Sequence, residues 1–261
     1  MIRICGLTAL LMVCSSAAVA EIILQDNYLG NPNEPGWAFP YDGVAAQSSE
    51  RRTIVSESWA GDDIVVPVGV EYQVQRLSWI GVLVTGPGAV WETVDIIILP
   101  RNTTEERGGP IAPGATPVAE FTDIPMDEFA QRAGESGPET LWGLPVYEGS
   151  VTIPEVTLPA GHYYFAVRVV GNNRGQHFLL TTGGGVDFGA GEMGVMQSEF
   201  FFEPEWIDIV DYLEIPDPDD PSQRIPYATD FAYRVYGEIV PEPASIALLM
   251  LGAVVLRLRR R

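Results

Sequence analysis

Glycine and proline interrupt this chain too often for it to be built from long helices. Of 27 glycines and 21 prolines, 25 and 19 fall in residues 21–240, one position in five of that stretch, against a usual ~12%. Glycine costs backbone entropy inside a helix, and proline removes a hydrogen-bond donor there. Uninterrupted segments are therefore short, which suits strands joined by turns.

Alternation supports strands. Phe231, Tyr233, Val235, Gly237 and Ile239 fall on one face, and Arg234, Tyr236 and Glu238 on the other. Tyr163, Phe165, Val167 and Val169 alternate with Tyr164, Ala166 and Arg168 directly after a Pro159-Ala160-Gly161 turn. Residues 94–99 are apolar on both faces, as in a central strand. Val70, Tyr72 and Val74 are out of phase with Leu77, Trp79 and Leu83, so a bulge or break is expected near Gln75 and Arg76. One segment reads as helix, residues 126–133, with Met126, Phe129, Ala130 and Ala133 at helical spacing between Pro125 and Gly134. Trp206, Ile209, Val210 and Leu213 fit a helix or a strand equally well. The expected fold is one all-β antiparallel sandwich or jelly roll over residues 21–239.

The two ends are addresses. Residues 1–20 open with Arg3, run through Leu7, Leu10, Leu11 and Val13, and close on Ala18-Val19-Ala20. That is the layout of a secretory signal peptide, with Ala18 and Ala20 at the positions a signal peptidase reads and cleavage before Glu21. Its apolar part is well short of the ~20 residues of a membrane span. Cys14 follows Val13, where a lipidation signal requires a small residue. Both cysteines, Cys5 and Cys14, lie in this segment, so residues 21–240 have neither a disulfide nor a thiolate site.

At the other end, Pro241-Glu242-Pro243 precedes an apolar run over residues 244–256 and then Arg257, Arg259, Arg260 and Arg261. As a helix, 13 residues at ~1.5 Å each reach ~20 Å, short of a ~30 Å hydrocarbon core. The arginines keep the extreme tail cytoplasmic and the body on the far side of the membrane. This order of parts resembles the PEP-CTERM sorting signal of Gram-negative-type bacteria. The resemblance implies a secreted protein whose Pro241, Glu242 and Pro243 are recognised by exosortase, with the arginines as retention signal. It also implies transient anchoring by the C-terminal segment and association with exopolysaccharide at the cell surface or in the extracellular matrix.

The body is strongly acidic. All 15 basic residues of the chain are arginine; residues 21–240 hold 10 of them against 34 of the 35 acids, a formal charge of −24. Such a surface repels nucleic acid and anionic lipid headgroups. Only two histidines exist, His162 at a strand start and His177 in an expected loop beside Asn172, Asn173 and Arg174. Neither Gly-x-Ser-x-Gly nor His-Glu-x-x-His occurs. The expectation is a non-catalytic protein without a cofactor. The alternative is a polysaccharide-active enzyme with a carboxylate pair, although acids this abundant make some pair inevitable by chance. Asp217, Asp219 and Asp220 beside Glu214 are the best local oxygen cluster for calcium, against a simpler reading as a solvated, proline-stiffened loop. Trp37 and Trp142 flank turns and are the candidates for stacking on glycans, whereas Trp79 and Trp91 read as core.

Overall fold

The computed structural model describes residues 21–27, 46–48, 50–52, 57–102, 111–112, 114–134, 137–172, 174–182, 194–198, 203–208, 214–216, 222–226 and 230–242. Every regular element among them is a strand. The axis of the first sheet is β5 (Val70–Thr85), 16 residues long, or roughly 50 Å at the usual strand rise. One edge of β5 pairs with β12 (Leu144–Leu158), which also carries β8 (Glu128–Gln131) and β11 (Thr140–Leu141). Its other edge pairs first with β19 (Tyr233–Pro241) and then with β14 (Gly175–Leu180). Beyond these lie β1 (Ile22–Asp26) and β2 (Ala46–Ser48), which complete eight strands.

The second sheet has seven strands centred on β13 (Gly161–Gly171). On one side are β6 (Trp91–Pro100) and β7 (Ala119–Pro125). On the other, β4 (Ser58–Val66) pairs along the first half of β13, and β3 (Glu50–Arg52) takes over at its end. The β3–β13 contact is the one parallel pairing among the described strands. From β4 the sheet continues through β15 (Val195–Ser198) to β16 (Glu203–Asp208). Two small ribbons stand apart, β9 (Ala133–Gly134) with β10 (Gly137–Pro138), and β17 (Glu214–Pro216) with β18 (Arg224–Pro226).

One core joins the two sheets. Tyr72, Val74, Leu77, Trp79 and Val151 of the first pack with Ile64, Val94, Ile96, Ile98, Phe165 and Val167 of the second. The expected phase change in β5 is present: Val74 pairs with Gly237 and Arg76 with Tyr236, so Gln75 is an extra residue on β5. That insertion puts Tyr72 and Val74 on the same core as Leu77 and Trp79. Trp79 is fully buried, and a Cβ on its cross-strand partner Gly149 would lie 2.4 Å from the indole. Only glycine leaves room there for the ring. Tyr163 to Val169 are buried without exception, so β13 is covered on both faces rather than on one.

Two sequence expectations change, and one open alternative is decided in part. Residues 126–133 are not a helix: residues 128–131 form β8 along β12, and Phe129 stacks on Tyr147 at 5.2 Å. Two helical turns are too few to be stable alone, whereas the open edge of β12 supplies backbone partners and a diagonal aromatic neighbour. Trp206, open between helix and strand, lies in β16, while Ile209, Val210 and Leu213 lie outside the described residues. His177 is not in a loop but at zero exposure within β14, between Phe129 and Trp91. The apolar segment 244–256 lies outside the described residues, and no helix among those described is long and apolar enough to cross a membrane.

The register gives the molecule two distinct ends. Turns at 67–69 and 159–160 and the last residues of β19 lie together at one, called here the terminal end. The β5–β6 turn and the Trp142-Gly143 turn lie at the other, the hairpin end.

Candidate functional site

The sorting motif continues directly from β19. Its alternating face buries Phe231, Tyr233 and Val235, which fixes the strand's register against β5. By the end of the strand Val240 pairs with Glu71 and Pro241 with Val70. The Glu242 N–H then donates to the Gly69 carbonyl at 3.1 Å. Pro241 and Glu242 are thus seated on the sheet beside the Pro67-Val68-Gly69 turn, with no intervening spacer. Val68 at the tip of that turn is 94% exposed. Pro243, Arg257, Arg259, Arg260 and Arg261 lie outside the described residues, as do Ala18, Ala20 and Trp37.

Trp142 occupies the opposite end. It forms, with Gly143, a two-residue turn between β11 and β12, both at positive φ (53° and 78°). This is the twist that tight antiparallel hairpins require, and Gly143 accommodates it without cost. The indole is 55% exposed. The two glycan candidates are therefore not shown together: one stands alone on a hairpin tip and the other is not described. Trp79 is core, and Trp91 packs against the core from its edge.

Glu214 opens β17, which pairs with β18. Asp217, Asp219 and Asp220 belong to the connection between these strands and are outside the described residues. Among the described residues no group of three or more histidine, cysteine or acidic side chains is placed to hold a metal.

The most perturbed carboxylate was not singled out from sequence. Asp62 is completely buried in β4 and accepts from Asn27 Nδ2 (3.0 Å), the Phe231 N–H (2.6 Å) and the Asp63 N–H (2.9 Å). Burial pushes its carboxyl well above the usual range; Asp230 and Asp63 add repulsion, and the two backbone donors partly oppose it. Next to it, Asp63 binds His162 Nε2, and its carbonyl accepts from Tyr233 Oη at 2.6 Å. His162 stacks on Tyr164, whose hydroxyl is raised by burial first and by nearby acids second. Burial likewise raises Tyr233. Two consecutive acids inside the apolar phrase of residues 60–66 were the available signal. Such a pair puts one side chain on each face of a strand, and in a two-layer fold one of them must enter the core.

A second polar network lies on the outer face of β13. Asp95, at zero exposure, receives Arg168 Nε at 2.7 Å, Arg51 Nε at 3.0 Å and the Asp123 N–H at 2.7 Å. Arg168 also reaches Glu57 at 2.6 Å and lies 4.1 Å over the Trp59 ring. Its groups are engaged with one another and clasp β3, β6, β7 and β13 together.

Residues 240–261 match the family model described as the PEP-CTERM protein-sorting motif. No curated protein and no solved structure matches the chain. The match begins at Val240, within β19, so the motif and the last core strand overlap. The chain therefore carries a PEP-CTERM protein-sorting motif at its C-terminus, and this motif implies an exported protein processed by exosortase.

Proposed function

We propose that the chain is a non-catalytic surface or matrix protein, delivered through signal peptidase and exosortase and associated with exopolysaccharide. The single observation that carries this reading is the seating of Pro241 and Glu242 at the end of β19, which joins the address directly to the folded body. Before processing, the terminal end faces the membrane that holds residues 244–256. Processing then frees a compact two-layer body carrying a large negative charge, which keeps it soluble and keeps copies apart. Calcium and other divalent cations serve this body as counter-ions, with Asp217, Asp219, Asp220 and Glu214 as the densest local acids; no cofactor takes part.

Support for a non-catalytic role comes from how the polar side chains are used. Asp62, Asp63 and His162 are tied into backbone and side-chain bonds between β4, β13 and β19, and Asp95 is saturated by two arginines. Incubation with the producing cell's own exopolysaccharide tests the reading. Retention of the protein without new reducing ends is the expected result; release of reducing ends would make it a polysaccharide-active enzyme instead.

A further inference from the structure

The outer face of the seven-stranded sheet carries its own apolar cluster of Leu99, Ile111, Tyr164 and Val195, separate from the core. A slot of about 290 Å³ opens on this face. Ile97 and Leu99 of β6, Ala112, and Trp206 of β16 line it. Trp206 is braced by Trp59, with ring centroids 6.5 Å apart. Two polar side chains join the lining, Gln197 of β15 and Glu205 of β16. Glu205 is exposed and forms no hydrogen bond or ion pair among the described residues.

We propose that this slot binds one ring of a neutral or amino sugar within a polysaccharide chain. The inference rests on the polysaccharide-associated reading above and gives it a site. A pyranose has an apolar C–H face and a rim of hydroxyls, and the lining offers the complement: aliphatic side chains, an indole and two polar side chains. A purely apolar ligand would strip water from Glu205 without replacing its hydrogen bonds, which is costly. A carboxylate only accepts hydrogen bonds, so the ligand must donate, as hydroxyl or ammonium groups do. Uronate, sulfate and phosphate groups are repelled by Glu205 and by the charge of the body. The volume lies at the small end for ligand sites, which fits a single ring. Weak binding of one ring suffices on a polymer, where successive units and many copies add avidity.

The full chain, in a zwitterionic detergent, is titrated by calorimetry with cellotetraose, the tetramer of glucosamine, and tetragalacturonate. The neutral and cationic tetramers bind, and the anionic one binds at least tenfold more weakly. Ala112→Phe fills the slot and weakens binding at least tenfold. Glu205→Gln narrows the preference for the cationic over the anionic tetramer at least threefold with the melting temperature unchanged. Absence of binding by both preferred tetramers, or unchanged affinity in Ala112→Phe with an unchanged melting temperature, overturns the proposal. If Ala112→Phe fails to fold, unchanged tetramer preference in Glu205→Gln overturns it. Retention on the native exopolysaccharide separates this result from the broader reading. Wild type and Ala112→Phe retained alike leaves the broader reading standing and removes the slot; tetramers bound in the slot without retention of the wild type does the reverse.

Discussion

Among the described residues two aspartates are at zero exposure, one in each half of the molecule, and they are compensated in different ways. Asp95, toward the hairpin end, is met by the guanidinium groups of Arg168 and Arg51 and by a backbone N–H. Asp62, toward the terminal end, is met by three N–H donors and by no cation among its hydrogen-bond partners, while two further acids press on it. The turns at the two ends differ in the same sense. At the hairpin end the β5–β6 turn is held by Asn172, which donates to the Gly88 carbonyl at 2.8 Å, and by the Gly86 N–H on the Arg174 carbonyl at 2.6 Å. At the terminal end Val68 projects bare, and the chain leaves over Gly69. The hairpin half is a clasp closed by charge. The terminal half is closed by neutral donors and left open at its tip, where the sorting signal must be reached by a membrane enzyme.

The largest expected effect is at the clasp. Asp95→Ala removes the buried centre of the network and leaves Arg168 only Glu57, and Arg51 only Asp123, as counter-charge; it should cost about 3 kcal/mol, the low end of the range for breaking a buried pair. Chemical denaturation measures it. A loss below about 1 kcal/mol would mean that the network is solvated and the contrast between the halves is not real.

Asp62 gives the opposite sign of pH dependence from an ordinary paired carboxylate. Its folded-state pKa is raised, so between the unfolded value near ~4 and the folded value the native state binds the extra proton. The contribution is therefore full below about pH 4 and is lost as pH rises through the folded pKa. Asp62→Asn removes this titration. The melting temperature of the variant minus that of the wild type should increase as pH rises from about 4 toward neutrality. A pH-independent difference would show that Asp62 is not desolvated as described.

The smallest effect is at the hairpin tip. Trp142 is more than half exposed on a two-residue turn, so Trp142→Ala should move stability by no more than ~0.5 kcal/mol. A larger loss would mean that the indole anchors the hairpin end and that this end owes its order to packing as well as to charge.

Sequence legibility followed periodicity. The alternating run from Phe231 and the two-sided run at residues 94–99 mark β19 and β6, and the phase slip at Gln75 marks the bulge of β5. Residues 126–133 misled because their period is equally served by an edge strand once a partner is present, and a partner is not visible in a local window. The Pro159-Ala160-Gly161 turn and the alternating strand after it were legible, but not that strand's neighbour; β4 pairs with it, Asp63 opposite Tyr164. That pairing creates the His162–Asp63 contact across about a hundred residues. The slot beside Trp206 was illegible for the same reason, since it is assembled from β6, β15, β16 and Ile111, Ala112, Gly114 and Ala115. Only the sorting motif, contiguous along the chain, could be read whole.

The last strand runs without a spacer into the sorting motif, and on the function proposed above it presents that motif to exosortase at the membrane. Intact mass of the surface-extracted protein from the native cell tests it most directly. The mature chain is expected to begin at Glu21 and to lack Arg257, Arg259, Arg260 and Arg261, with those residues kept when Pro241-Glu242-Pro243 is replaced by alanines. A wild-type mature chain that still ends at Arg261 would contradict it.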